Sequence, residues 1–268
     1  FSGEFNYTLS SCCLFFIPQR STRPSMDITT LVLIAAVVVL IGVSKSAFAG
    51  ALGVFAVPLL MLKLPAAQAI ALMLPLLIIG DMLSVRSYWR KWDNQLLLPL
   101  IPGAIVGVLI AYLIIDVINA KHLRLIIALI CIVFSIKNIF FKKSSLKILS
   151  NKIGAGIMSM FSGITSSLVH AGGPPIIIYF TAIGLTPGKF VATAAIFFAM
   201  MNVIKLIAAL SFGLLTGETI LTALAFFPLA FVGNWLGVKI NEVLDKVLFL
   251  KIMNYLLLVL GFWLLLGK

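Results

Sequence analysis

Four places in the sequence set polar or ionisable groups inside long apolar runs, and each could do chemistry. Lys205 lies in Ala199-Met200-Met201-Asn202-Val203-Ile204-Lys205-Leu206-Ile207, with Asn202 three residues earlier and on the same helix face. An ammonium with an amide beside it can hold an anion; the structural alternative is a lysine whose long stem snorkels to an interface. Lys45 precedes a glycine-containing turn, Ser44-Lys45-Ser46-Ala47-Phe48-Ala49-Gly50-Ala51-Leu52-Gly53, where an anion could sit between its ammonium and the Gly50–Gly53 backbone. Asp81 follows Gly80, five residues before Arg86. It could couple protons or pair with Lys205 or Lys45, or form a plain helix-end ion pair.

The fourth place is Ser162-Gly163-Ile164-Thr165-Ser166-Ser167-Leu168-Val169-His170-Ala171-Gly172-Gly173-Pro174-Pro175. Glycines permit left-handed backbone and close approach, whereas proline breaks a helix interior. The pattern predicts one helix ending near His170 and another starting at Pro174 or Pro175, since proline suits a first helical turn. The amides of Gly172 and Gly173 are then left at a helix N-terminus, which carries about half a positive charge and attracts anions. His170, one of two histidines in the chain, could relay protons or be structural. Ser166, Ser167 and Thr193 could donate to anion oxygens or bond helix backbone instead.

The elements that position these groups must be membrane helices. Hydrophobic residues make up 62% of the 268, charged ones 10%, and the mean hydropathy is +1.19. A soluble domain carries roughly 25% charged residues, so this chain cannot cover a water-facing surface. A crossing needs about 20 apolar residues, and six stretches qualify: Ala66–Val85, Gln95–Ile115, His122–Phe141, Gly188–Gly213, Thr219–Lys239 and Asp245–Leu266. Runs such as Leu31–Ile41 are apolar on every face, which excludes the alternating strands of a barrel. The net charge of +12 sits mostly between apolar runs, which fits topology-setting loops rather than nucleic acid. The three cysteines form neither a disulfide framework nor a metal-ligand spacing. Residues 1–25 are polar and irregular, and we expect a non-native or disordered extension, with Met26 as the natural start. Trp89, Trp92 and Tyr88 read as an interfacial belt.

From Met26 the chain reads as two halves, 26–141 and 153–268, around a basic cytoplasmic linker, 142–152. Each half opens with two short apolar pieces: Ile28–Val43 with Ala49–Leu62, and Ile153–Val169 with Gly173–Leu185. Pro102-Gly103-Ala104-Ile105-Val106-Gly107 matches Pro228-Leu229-Ala230-Phe231-Val232-Gly233 at an offset of 126, and the same offset pairs Asp116-Val117 with Glu242-Val243. The expected fold is all-α: a polytopic integral membrane protein of two homologous halves with 8–10 membrane segments, broken or re-entrant near the start of each half. The basic loop at Arg86–Lys91 and the linker should both face the cytoplasm. The corresponding loop at Gly217-Glu218 has no basic residue, which favours five crossings per half and inverted repeats. A re-entrant pair would instead give four crossings and parallel repeats. Broken helices at matching places in a duplicated chain are where secondary transporters hold their substrate.

The Gly50-Ala51-Leu52-Gly53 run with Pro58-Leu59-Leu60, the His170-Ala171-Gly172-Gly173-Pro174-Pro175 segment, and the openings at Pro65 and Pro187 resemble the TauE/SafE family. The resemblance covers nearly all of Met26–Lys268. In the first half, Ser44-Lys45-Ser46 and Gly50–Gly53 replace a denser glycine run. The resemblance implies a secondary transporter of a small sulfur oxyanion or organosulfonate in the bacterial inner membrane. The expected substrate site is Lys45, Gly50, Gly53, His170, Gly172, Gly173, Pro174, Asn202 and Lys205, with Asp81 and His170 as coupling groups. The expected partners are a small anion and the lipid bilayer, without nucleic acid or cofactor. A membrane enzyme would need clustered acids and histidines, but His122 and His170 are far apart in sequence. A channel or a carrier of another small anion, such as a carboxylate, remains compatible with the same residues.

Overall fold

A computed structural model describes residues 27–64, 66–114, 131–136, 151–170, 172–211 and 217–266, with positions 125, 128, 129 and 139. The extension 1–25, the linker positions 142–150 and half of His122–Phe141 lie outside them. All regular elements among the described residues are helices. In chain order they are α1 (Ile28–Ala47), a 3-10 turn (Ala51–Phe55) running into the short α2 (Ala56–Leu60), α3 (Ala66–Ser87), α4 (Asn94–Ile114), α5 (Lys152–Val169), α6 (Gly173–Ile183), α7 (Pro187–Ser211), α8 (Gly217–Ala225), α9 (Phe227–Val243) and α10 (Lys246–Leu266). Four of these are long and apolar enough to cross a bilayer: Ile28–Ala47, Asn94–Ala111, Pro187–Ile207 and Lys246–Leu266.

The stretch expected as one span, Thr219–Lys239, is instead α8 and α9 bent by 50°. Pro228 sits in the first turn of α9. Its missing N–H removes one bond that would have continued α8, so the chain turns there. The start of α1 is capped by Asp27, whose carboxylate accepts from the Thr30 amide at 2.8 Å. The Thr30 and Thr29 hydroxyls also donate to this carboxylate, and these two bonds, with the one from the Thr30 amide, hold its pKa down to about 2.

Two close crossings organise the bundle, and both pair residues distant in sequence. In the first, α4 lies on α5. A Cβ added at Gly107 would stand 2.0 Å from the Met160 carbonyl oxygen, and one at Gly163 would stand 2.5 Å from that of Ala104. In the second, α9 lies on α1. A Cβ at Gly233 would stand 2.5 Å from the Val39 oxygen, and one at Gly42 would stand 2.8 Å from that of Ala230. Lipid gives no hydrophobic drive for helices to associate, so contact between backbones at small residues must supply it. The α4 face is Gly103-x-x-x-Gly107 and the α9 face is Gly233-x-x-x-Gly237. Ala104 and Gly107 stand to α5 as Ala230 and Gly233 stand to α1.

These crossings carry α1 and α5 into the interior, where both end. The four last carbonyls of a helix have no partner within it. At the end of α1 all four are satisfied. Ser44 O accepts from Phe48 N (3.0 Å) and Gly50 N (2.8 Å). Lys45 O accepts from Ser84 Oγ (3.4 Å), Ser46 O from Tyr88 OH (2.7 Å) and Ala47 O from Asn241 Nδ2 (3.2 Å). Tyr88 is therefore a buried cap for a broken helix, 3% exposed, and not part of an interfacial belt. Trp89, by contrast, is 60% exposed.

Candidate functional site

The first break follows α1. Ala49 and Gly50 are both left-handed, at φ 52° and 81°, and the bond from Gly50 N to Ser44 O, six positions back, closes the turn. Ser44 Oγ accepts from Leu52 N at 2.9 Å, which fixes the following 3-10 turn. The second break follows α5. His170 is left-handed at φ 54° and its amide donates to Thr165 O. The helix thus ends at Val169, as the sequence predicts. α6 starts at Gly173, one residue before the expected prolines, with Pro174 and Pro175 in its first turn.

Those prolines matter for the site. A helix N-terminus has four amides without helical partners, but Pro174 and Pro175 contribute none. Gly172 and Gly173 remain, and neither amide has a partner among the described residues. The two breaks meet, since a Cβ on Gly173 would lie 3.5 Å from the Gly50 carbonyl oxygen. A side chain on Gly172 would strike Ser166 Cβ at 2.7 Å. Ser162 Oγ ties the break down by donating to Gly172 O at 2.6 Å.

Between them lies a cavity of about 30 Å³, lined by Lys45, Gly50, Gly53, Leu77, Ser166, His170, Gly172, Gly173, Phe198 and Asn202. That is room for about two waters. Seven of the nine residues expected to bind substrate therefore share one cavity: Lys45, Gly50, Gly53, His170, Gly172, Gly173 and Asn202. Pro174 is buried beside it but does not line it. His170 Nδ1 is buried with no hydrogen-bond partner among the described residues.

Asp81 pairs with Lys45, Oδ1 to Nζ at 2.6 Å, and accepts from Asn202 Nδ2 at 2.5 Å. Of the alternatives open in the sequence, the pair with Lys45 is the one formed, and it is a buried pair rather than a helix-end one: the side chains of Lys45 and Asp81 are 6% and 2% exposed. The Lys45 ammonium also faces the Phe198 ring, 4.9 Å from its centroid.

Lys205 is buried, not snorkelling. It does not line the cavity, however. Its ammonium donates to Ser166 O at 2.8 Å and to Ser166 Oγ at 2.5 Å. It thus caps the last turn of α5, where the helix dipole is negative. Thr193 lies elsewhere, accepting from Asp93 N at 3.1 Å. Phe198 and Leu77 were not anticipated. For Phe198 the signal was present, because positions 198, 202 and 205 share one helical face.

A family model described as "Sulfite exporter TauE/SafE" matches residues 34–264. The chain belongs to that family. The match takes in both breaks, every lining residue of the cavity, and Asp81 and Lys205 behind it. TauE/SafE proteins are membrane transporters, not enzymes, so this chain is a multi-pass integral membrane protein of a transporter family. The earlier resemblance thus holds across most of the chain. No curated protein and no solved structure matches it.

Proposed function

We propose that this chain is a secondary transporter that moves a small anion, with sulfite the first candidate, across the bacterial inner membrane by alternating access. One observation carries the reading: two broken helices meet end to side around a cavity lined by an ammonium and by two glycines whose amides have no partner among the described residues. Irregular backbone at membrane depth is tolerated where it lines such a cavity. Amides at a helix start, a lysine and a nearby hydroxyl suit an oxyanion with several acceptor oxygens. The cavity's size, about 30 Å³, favours a compact oxyanion over an organosulfonate with a carbon chain.

The two halves, 26–141 and 153–268, are proposed to be a duplicated unit. The exchange of helices between them, α1 with α9 and α5 with α4, supports this because equivalent residues make equivalent contacts. The substrate would then sit near the axis relating the halves.

Radiolabelled sulfite flux into proteoliposomes, with and without an imposed proton gradient, tests the function. The expected result is gradient-driven accumulation that Gly173→Leu abolishes, because the added side chain projects toward Gly50 across the cavity. Absence of sulfite flux from folded, reconstituted protein would overturn the assignment of sulfite.

A further inference from the structure

Among the described residues, the buried charges around the cavity do not balance. Lys45 and Lys205 contribute two ammoniums, and Asp81 contributes one carboxylate. Lys45 and Asp81 are in contact; Lys205 sits behind Ser166 and also interacts electrostatically with both. Among the described residues, no further buried charge reaches Asp81: Arg86 on α3 itself and Lys189 on α7 are exposed. The titratable groups of α8 and α9, namely Glu218, Lys239 and Glu242, are all exposed, and α2 carries none. His170 is the remaining titratable group that lines the cavity among the described residues, and its buried Nδ1 has no partner there.

An uncompensated buried charge is strongly unfavourable, and its neutralisation is a condition for a stable closed state. One excess positive charge is balanced by a monoanion. A dianion is balanced only when Asp81 is protonated. The geometry makes these two events one competition. Lys45 is the only ammonium that lines the cavity among the described residues, and the Asp81 carboxylate already occupies it at 2.6 Å. Asp81 is thus an internal anion on the group an incoming oxyanion needs.

We propose that the substrate anion displaces Asp81 from Lys45, and that Asp81 takes up a proton when the anion is divalent, so each dianion bound brings one proton with it. This rests on the proposed anion site. In the step, the ion pair between Asp81 and Lys45 separates and one O–H bond forms on the Asp81 carboxyl, with the proton drawn from the aqueous side. The anion takes the vacated place at the ammonium. Asn202 keeps its bond to the other Asp81 oxygen, and so holds the released carboxyl beside the site for its return. Anion release reverses the sequence, giving up the proton on whichever side the cavity opens.

The test is proton uptake on anion binding by the purified full chain in detergent. Titration calorimetry with sulfite, and separately with sulfate as an anion divalent near neutral pH, is run in buffers of different ionisation enthalpy. Infrared difference spectra follow the carboxyl band. The wild type should take up about one proton per sulfate bound, with a new protonated-carboxyl signal. Asp81→Asn should remove both and bind sulfate more tightly, with its affinity no longer dependent on pH, because Lys45 is then free of its internal competitor. The infrared signal needs no variant, so a poorly folding Asp81→Asn would not block the test. Binding without proton uptake would overturn the proposal and leave the anion site standing. Uptake that survives Asp81→Asn and disappears in His170→Asn would also overturn it, placing the proton on His170. Binding of neither anion would reject the site and the proposal together.

Discussion

Gly107→Ala asks whether the close approach of α4 and α5 holds the bundle together. The added Cβ would stand 2.0, 2.8 and 2.9 Å from the O, C and Cα of Met160, all backbone atoms. Ordinary Cβ contacts begin at 3.4 Å, so the two helices must separate by more than an ångström. No side chain can rotate to relieve this. Overpacking of this kind costs about 1–3 kcal/mol, and a backbone-on-backbone clash belongs at the upper end. The helix-propensity gain of alanine over glycine, about 1 kcal/mol, works against that loss. Gly156→Ala is the control. It has the same propensity gain on the facing helix, but its Cβ would meet nothing closer than the Pro99 oxygen at 4.0 Å. The net loss of about 2 kcal/mol should lower the apparent Tm of Gly107→Ala by about 4–8 °C in thermal unfolding in one detergent at one scan rate, using the scale for chains of this size. Gly156→Ala should be unchanged or slightly raised. Gly233→Ala, which meets Val39 O at 2.5 Å, should resemble Gly107→Ala. Equal stability of Gly107→Ala and Gly156→Ala would refute the argument that these glycines set the crossing.

Two further outcomes are expected. Lys45→Met leaves the Asp81 carboxylate buried without its counter-ion, so it should destabilise by about 3–5 kcal/mol near neutral pH. The double variant Lys45→Met/Asp81→Leu should recover much of that in the same unfolding assay, and a double variant no more stable than the single would contradict a buried pair. At His170, a left-handed backbone costs roughly 1–2 kcal/mol for a residue with a Cβ. His170→Gly should therefore raise the apparent Tm and His170→Val lower it, with the order reversed if the turn is not strained.

How much of this was legible beforehand follows from the range of the forces involved. Apolar length and proline or glycine chemistry act over a few neighbouring residues, so the membrane class, the end of α5 near His170 and the start of α6 at the prolines could be read directly. The cluster of Lys45, Gly50, Gly53, His170, Gly172 and Gly173 was also legible, because each break advertises itself locally. The matching Pro-x-Ala-x-Val-Gly runs were read as a mark of duplication. Their glycines, at four-residue spacing with Gly103 and Gly237, were also contact faces, a second meaning that period alone does not reveal. The bend at Phe226 was missed because an apolar run with proline near its middle looks like an unbroken span.

By itself, then, the sequence determined that the chain crosses a membrane as helices, where two of those helices break, and which few polar residues stand at the breaks. Tertiary structure alone decided who meets whom. Asp81 could have paired with Lys45, Lys205 or Arg86, and the closeness of α1 to α3 made it Lys45. Lys205 reads in sequence as a substrate ligand, yet α7 aims it at the end of α5 behind Ser166. Tyr88 reads as an interfacial residue, yet it caps a carbonyl of α1 deep in the protein. Each of these partners lies at least 36 residues away along the chain, and their meeting depends on crossings where glycine lets backbones touch. No local preference encodes that geometry; it arises only when the helices pack.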